Sequence, residues 1–148
     1  MDAIALVLLA GFAAVQATLP KLPIVADFNT VKTFRCDFTE SEGHRTTAEG
    51  VTSPAKRGIF SGLVVNHVDY KTGTARFISN SGGETVQVLD GDQTISFLGM
   101  NKGNVTVLSI FKRLGSISTY RAVYSRHLQL TTGEVTISQS YGLCRGLI

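Results

Sequence analysis

The chain has 148 residues, of which 43% are hydrophobic and 17% charged, with 15 Gly, no Trp and a formal net charge of +3. This length suits one domain built around one hydrophobic core. The low charged fraction and the supply of apolar residues exclude intrinsic disorder, collagen, a coiled coil and a multi-helix membrane protein.

The first residues carry the pattern of a secretory signal. Residues 3–14 form an apolar run that is too short to span a bilayer, and Val15-Gln16-Ala17 follows as a small-x-small cleavage pattern. We predict a signal peptide over residues 1–17, an N-terminal lead over 18–31, and an exported protein, periplasmic or secreted, whose mature chain has no transmembrane span. The n-region holds Asp2 and no basic residue, so an N-terminal helix that packs on the domain is the alternative.

From residue 32 to 148 a single β-domain is predicted, because apolar residues recur with a period of two. Phe34, Cys36 and Phe38 share one face of the first strand, and the polar stretch 40–57 then predicts a long loop, either functional or poorly ordered. Further strands are predicted at about 58–69, 74–79, 86–88, 95–97, 105–111, 117–130 and from 135 onward.

These segments predict an all-β fold of about eight antiparallel strands. Short connections favour an up-and-down meander, closed as a small barrel or left as a curled sheet. A two-sheet sandwich is the alternative.

Two cysteines, Cys36 and Cys144, predict one disulfide between the first and last strands. In an exported domain, two cysteines that lie outside any CxxC motif are most simply interpreted as one structural disulfide. Closing so long a loop stabilises the fold by roughly 4–5 kcal/mol in the chain-entropy model.

Arg126 has an unusual position for a charged residue. Strict alternation puts it on the same face as Tyr120, Ala122, Tyr124 and Leu128. An inward guanidinium could hold a ligand carboxylate in bidentate fashion, with Tyr124 and Tyr141 as further hydrogen-bond donors. A β-bulge near Ser125 that turns Arg126 outward, or a rim position from which it reaches water, are the alternatives.

Other chemistry finds little support in the pattern. His67 and Asp69 would share a strand face, but a metal site needs at least one more ligand, so no metal is predicted. The chain has no GxSxG elbow, GxGxxG or P-loop motif, so neither a catalytic residue nor a cofactor is predicted. Its basic residues are scattered, which argues against nucleic-acid binding.

Three short motifs give the chain a family resemblance. They are Phe34-Arg35-Cys36, the AVxSRH strand from Ala122 to His127, and the closing YGxC from Tyr141 to Cys144. The chain resembles small exported bacterial all-β proteins of uncharacterised function, a resemblance that implies no known activity. It is more loosely similar to the periplasmic lysozyme-inhibitor barrels. Lysozymes are basic, as this chain is, so charge complementarity argues against that partner.

These observations predict a monomeric, non-catalytic interaction module at the cell envelope or outside the cell. Its partner would be an envelope or extracellular protein. The alternative is a small-barrel carrier of an apolar or acidic small molecule, because an eight-stranded barrel can hold one small ligand. A third reading is an inhibitor of a host or envelope hydrolase.

Overall fold

A computed structural model describes residues 28–55, 60–80, 82–116 and 119–148, without the side chains of 113–116. The predicted signal peptide, most of the lead and its cleavage site lie outside the described residues. The described ranges contain no helix that is long and apolar enough to cross a membrane.

Strands dominate the described chain. A short 3-10 helix (Phe28–Thr30) precedes nine strands. The strands are β1 (Thr33–Thr46), β2 (Thr52–Pro54), β3 (Phe60–Asp69), β4 (Thr74–Ser79), β5 (Gly82–Asp90), β6 (Thr94–Asn101), β7 (Asn104–Ser116), β8 (Thr119–Gln129) and β9 (Val135–Leu147).

Eight of these strands form a closed antiparallel barrel. β1 and β3 to β9 pair in chain order, and β9 pairs back with β1 from Thr33↔Leu147 to Thr46↔Val135. The short β2 pairs with the end of β1 as an extra strand. The all-β, up-and-down prediction is therefore confirmed, and the meander closes as a barrel rather than as a two-sheet sandwich.

The barrel is filled with apolar side chains towards one end, here called the closed end. Phe34, Ile95, Phe97 and Ile110 have no exposed surface. The 3-10 helix covers this end, because the Phe28 ring packs 4.9 Å from the Tyr120 ring, centroid to centroid.

The predicted disulfide is confirmed at the seam of the barrel. Cys36 and Cys144 are bonded, lie 108 positions apart, and are directly opposite each other in the β1–β9 pairing. Both side chains are fully buried. The bridge therefore joins the first and last barrel strands inside the core.

The stretch 40–57 differs from the predicted long loop. β1 continues through Thr46 and stays paired with β9, after a β-bulge between Phe38 and Glu40. The bulge changes which residues face inward, so Ser41 lies inside, opposite the inward-facing Ser140. The inward residues beyond the bulge are small or polar, and for that reason the hydrophobic alternation appeared to stop.

The predicted His67–Asp69 pair is also interrupted by a bulge. His67 has a positive φ of 52°, the β3–β4 register shifts between Asn66 and Asp69, and Val68 is buried. Asp69 Oδ1 instead accepts hydrogen bonds from the backbone amides of Lys71 (2.9 Å) and Thr72 (3.1 Å). These bonds, chiefly those from Thr72, lower the pKa of the Asp69 carboxyl. Asp69 thus holds the β3–β4 turn.

Candidate ligand cavity

A cavity of about 630 Å³ occupies the end of the barrel opposite the 3-10 helix, here called the open end. Residues from all eight barrel strands line it. The turns between β4 and β5 and between β6 and β7 stand at its edge, with Asn80, Gly82, Asn101 and Asn104 among the lining residues. The cavity is open to solvent on that side.

The floor of the cavity is aromatic. Phe60, Phe77 and Tyr124, here called the cavity floor, line it from below. The Tyr124 ring meets the Phe60 ring edge-on at 5.2 Å, and Phe60 in turn stacks on Phe38 at 4.6 Å. Phe60 can face inward because β3 bulges at Gly62, whose φ is +80° and whose amide donates to Asp37 Oδ1. The floor is apolar and suited to a flat or compact apolar group.

Arg126 lies on the inner face of β8, at the rim of the cavity. The pairings of β8 with β7 and β9 show no register shift around Ser125, so the alternation holds and Arg126 is opposite the inward-facing Thr106. Its Nε donates to Asn104 Oδ1 at 2.9 Å, and its side chain is exposed. Within the described chain the two terminal guanidinium nitrogens donate to no protein group. They are available to a ligand.

Glu84 is a second charged residue of the rim, and sequence reasoning missed it. Asn101 Nδ2 donates to Glu84 Oε2 at 2.9 Å, and Thr106 Oγ1 lies 3.4 Å from Oε1. Gly99 makes room for this carboxylate, because a Cβ there would come within 2.7 Å of Oε1. A signal existed in the sequence, since Glu84 has the same strand parity as the buried Val86 and Val88.

Tyr124 is the residue of the cavity floor whose hydroxyl is influenced by both rim charges. Burial raises the pKa of its hydroxyl, Arg126 lowers it, and Glu84 raises it. The net pKa is above its ordinary value of 10.0. At neutral pH the phenol is therefore protonated and able to donate a hydrogen bond into the cavity.

Tyr141 does not belong to this cavity. It lies on the outer face of β9, next in sequence to the inward-facing Ser140. Its Oη donates to Glu42 Oε1 at 2.7 Å, a bond that raises the pKa of its hydroxyl. The structure thus brings Arg126 and Tyr124 together, as predicted, and leaves Tyr141 on the outside.

Similarity to known proteins does not assign this chain to a family. No protein-family model matches it, and neither a curated protein nor a solved structure is significantly similar to it. In the part of the chain that the structure describes, no three His, Cys, Asp or Glu side chains cluster as a metal site would require. The geometry of the cavity is therefore the basis for a functional conclusion.

Proposed function

We propose that this protein binds a small molecule in the open end of its barrel, as a non-catalytic carrier or receptor. The observation that carries the proposal is the cavity of about 630 Å³ with an aromatic floor and, at its rim, a guanidinium whose two terminal nitrogens bind no described group. Its volume falls within the range of about 300–1,000 Å³ typical of small-molecule sites. Of the functions considered from sequence, this arrangement favours the carrier over the interaction module.

The depth of the cavity limits the shape of the ligand. Below the floor the barrel is filled by fully buried side chains such as Phe38, Phe97 and Leu108. A long acyl chain would have to displace this core, whereas a ring or a short branched group can rest on Phe60 and Tyr124. The proposed ligand therefore has a compact apolar part.

Arg126 indicates the chemistry of the polar part of the proposed ligand. A guanidinium presents parallel N–H donors that fit a carboxylate in bidentate fashion. Asn104 holds Nε and thereby leaves the terminal nitrogens directed to other partners. The proposed ligand carries a carboxylate that binds these nitrogens.

An exported location, periplasmic or extracellular, is part of the proposal. The buried Cys36–Cys144 bridge supports it, because structural disulfides form and persist in oxidising compartments. The signal pattern in the first 17 residues supports it as well.

Calorimetric titration with a panel of compact carboxylic acids, α-amino acids among them, tests the proposal. Wild-type protein should bind at least one acid at a 1:1 ratio. Arg126→Gln should weaken binding by roughly 10- to 100-fold, the equivalent of one charge-assisted contact. Ser138 is the cross-strand neighbour of Arg126, and Ser138→Leu projects an apolar side chain into the cavity beside the guanidinium and should weaken binding.

Matched controls come from the outer face of the same strands. Arg121→Gln on β8 and Gln139→Leu on β9 change exposed, outward-facing residues and should leave the affinity unchanged. Equal affinity in Ser138→Leu and wild type would refute the cavity as the site. An absence of binding across the panel would refute the function.

The outer face of the barrel favours a second candidate, the interaction module. Met100, Val105, His127 and Ile137 are successive cross-strand neighbours on β6 to β9. Three of them are exposed apolar residues, with Met100 at 67%, Ile137 at 43% and Val105 at 37%. A protein partner retained by wild type and lost by Ile137→Lys would support this candidate.

A further inference from the structure

Two opposite charges face the same cavity without neutralising each other. Glu84 on β5 and Arg126 on β8 both line it, and both act on the Tyr124 phenol. Among the ion pairs of the described side chains, however, none joins Glu84 to Arg126. Opposite charges attract each other more strongly where protein replaces part of the surrounding water, yet here each charge has an asparagine as its partner instead. Something holds the two groups apart.

The β6–β7 hairpin provides the separation. Asn101 and Asn104 are directly opposite each other at its tip. The Asn101 amide donates to Glu84, and the Asn104 amide oxygen accepts from Arg126. Directly opposite residues have Cβ atoms about 5 Å apart, so each charge is fixed to its own side of the hairpin. An asparagine amide can serve a carboxylate on one side and a guanidinium on the other because it is both donor and acceptor.

Both charged groups keep unused hydrogen-bonding capacity. Arg126 donates only through Nε within the described chain. A carboxylate offers about four lone-pair sites, and Glu84 accepts from Asn101 and Thr106. Gly99 leaves the space that the carboxylate occupies, since a Cβ there would come within 2.7 Å of Oε1. The cavity therefore presents a fixed negative site and a fixed positive site above one apolar floor.

We infer that the cavity selects zwitterions, in which a carboxylate and a protonated amine are carried close together on a compact apolar body. Apolar or aromatic α-amino acids have this chemistry. The ligand carboxylate binds the terminal nitrogens of Arg126, its ammonium binds Glu84, and its side chain rests on Phe60 and Tyr124. This inference rests on the proposed small-molecule site and names the class of ligand.

Ligands with one kind of charge fit this arrangement less well. A simple acid binds Arg126, but it has no ammonium group for Glu84. Its negative charge also repels the Glu84 carboxylate. A dianionic phosphate ester meets one guanidinium and one carboxylate, so its second charge is uncompensated. Arg126 and Glu84 both lose water when a ligand binds, and a zwitterion gives each of them an opposite charge in its place. Such compensation makes the burial of charge favourable.

Titration with three related ligands tests the inference. L-Phenylalanine, 3-phenylpropionate and phenethylamine share a benzyl body and differ in charge. Wild-type protein should bind phenylalanine at least about tenfold more tightly than either analogue, because each analogue lacks one of the two charge-assisted contacts. Glu84→Gln, an isosteric change, should remove the preference over 3-phenylpropionate. Arg126→Gln should remove the preference over phenethylamine.

A control variant and two different contrary results distinguish failure of zwitterion selection from failure of the small-molecule site. Glu40→Gln changes an exposed carboxylate on β1 and should leave all three affinities unchanged, and thermal unfolding of each variant verifies the fold. If 3-phenylpropionate binds as tightly as phenylalanine, or if only acids other than amino acids bind, zwitterion selection is overturned and the small-molecule site stands. If neither amino acids nor any other small molecule binds, the site itself is overturned.

Discussion

The Tyr124 side chain joins the apolar and charged parts of the cavity. Its ring packs against Phe38 and Phe60, while its hydroxyl lies in the field of Arg126 and Glu84. Burial disfavours the phenolate and is the largest influence on its pKa. Tyr124 thus links the protonation state of one residue to the stability of the barrel.

The raised pKa of Tyr124 predicts a loss of stability at alkaline pH. The folded state prefers the neutral phenol more than the unfolded chain does, with its ordinary pKa of 10.0. The stabilisation that comes from the neutral phenol is therefore complete below about pH 10 and is lost as the pH rises through the folded-state pKa. Each unit by which the folded-state pKa exceeds the unfolded value corresponds to about 1.4 kcal/mol. Urea unfolding at pH 8 and at pH 11 should show a smaller decline for Tyr124→Phe than for wild type.

Tyr120 and Tyr141 also have raised pKa values, from burial and from the Glu42 hydrogen bond respectively. The Tyr124→Phe variant should therefore keep part of the alkaline decline. An identical decline in wild type and variant would contradict the role given to Tyr124.

At the scale of elements, the contact between β1 and β9 depends on one glycine. Gly142 on β9 lies beneath the β1 bulge that reverses the alternation after Phe38. A Cβ at residue 142 would overlap the Asp37 carbonyl oxygen and the Phe38 Cα. These are backbone atoms, which cannot move aside as the end of a side chain can.

Gly142→Ala should therefore destabilise the protein by about 3 kcal/mol, at the upper end of typical overpacking costs. Chemical denaturation measures the change. Gly91→Ala is the matched control, because the nearest atom to its Cβ would be the Thr94 carbonyl oxygen at an ordinary 3.4 Å. A loss of under about 0.5 kcal/mol in Gly142→Ala, the range of neutral surface changes, would show that the strands separate easily at the bulge.

The regular strands could be predicted from the sequence, whereas the bulges could not. β4 occupies residues 74–79 as predicted, because its alternation is uninterrupted between two turns. The sequence predicts a loop over the second half of β1, because the bulge and the inward Ser41 remove the apolar period. This bulge depends on pairing with the distant β9, and a local pattern carries no information about that partner.

The residues of the candidate site could likewise be predicted where a strand is regular and not where distant contacts decide the structure. Arg126 and Tyr124 could be predicted, since β8 alternates without a shift from Tyr120 onward. The strand predicted at 86–88 does not include Glu84, whereas β5 already begins at Gly82. Asn101 and Asn104 lie between the strands predicted at 95–97 and 105–111, and their hydrogen bonds to charges on other strands depend on closure of the barrel.

For the whole molecule, closure depends on pairing the two ends of the described chain. β1 and β9 are the most distant strands in sequence, and their pairing is costly because a long segment must be ordered first. The Cys36–Cys144 bridge removes much of that entropy from the unfolded state.

Replacing both cysteines by alanine should lower the free energy of unfolding by roughly 4–5 kcal/mol, from the loop of 108 positions. Urea denaturation with and without a reductant measures this loss. Reductant should destabilise wild type by a similar amount and leave the double variant unaffected. A difference of less than 1 kcal/mol between the two proteins would mean that β1 and β9 find each other without the bridge.

The antiparallel closure also determines how the barrel can be attached to something else. Thr33 and Leu147 are paired neighbours, and the Lys32 amide donates to the Leu147 carbonyl at 3.2 Å. Both positions are at the end covered by Phe28, on the opposite side of the barrel from Glu84 and Arg126. A tether, a fused domain or a surface linkage joined at either position would therefore hold the protein by its base and leave the cavity facing away from the support.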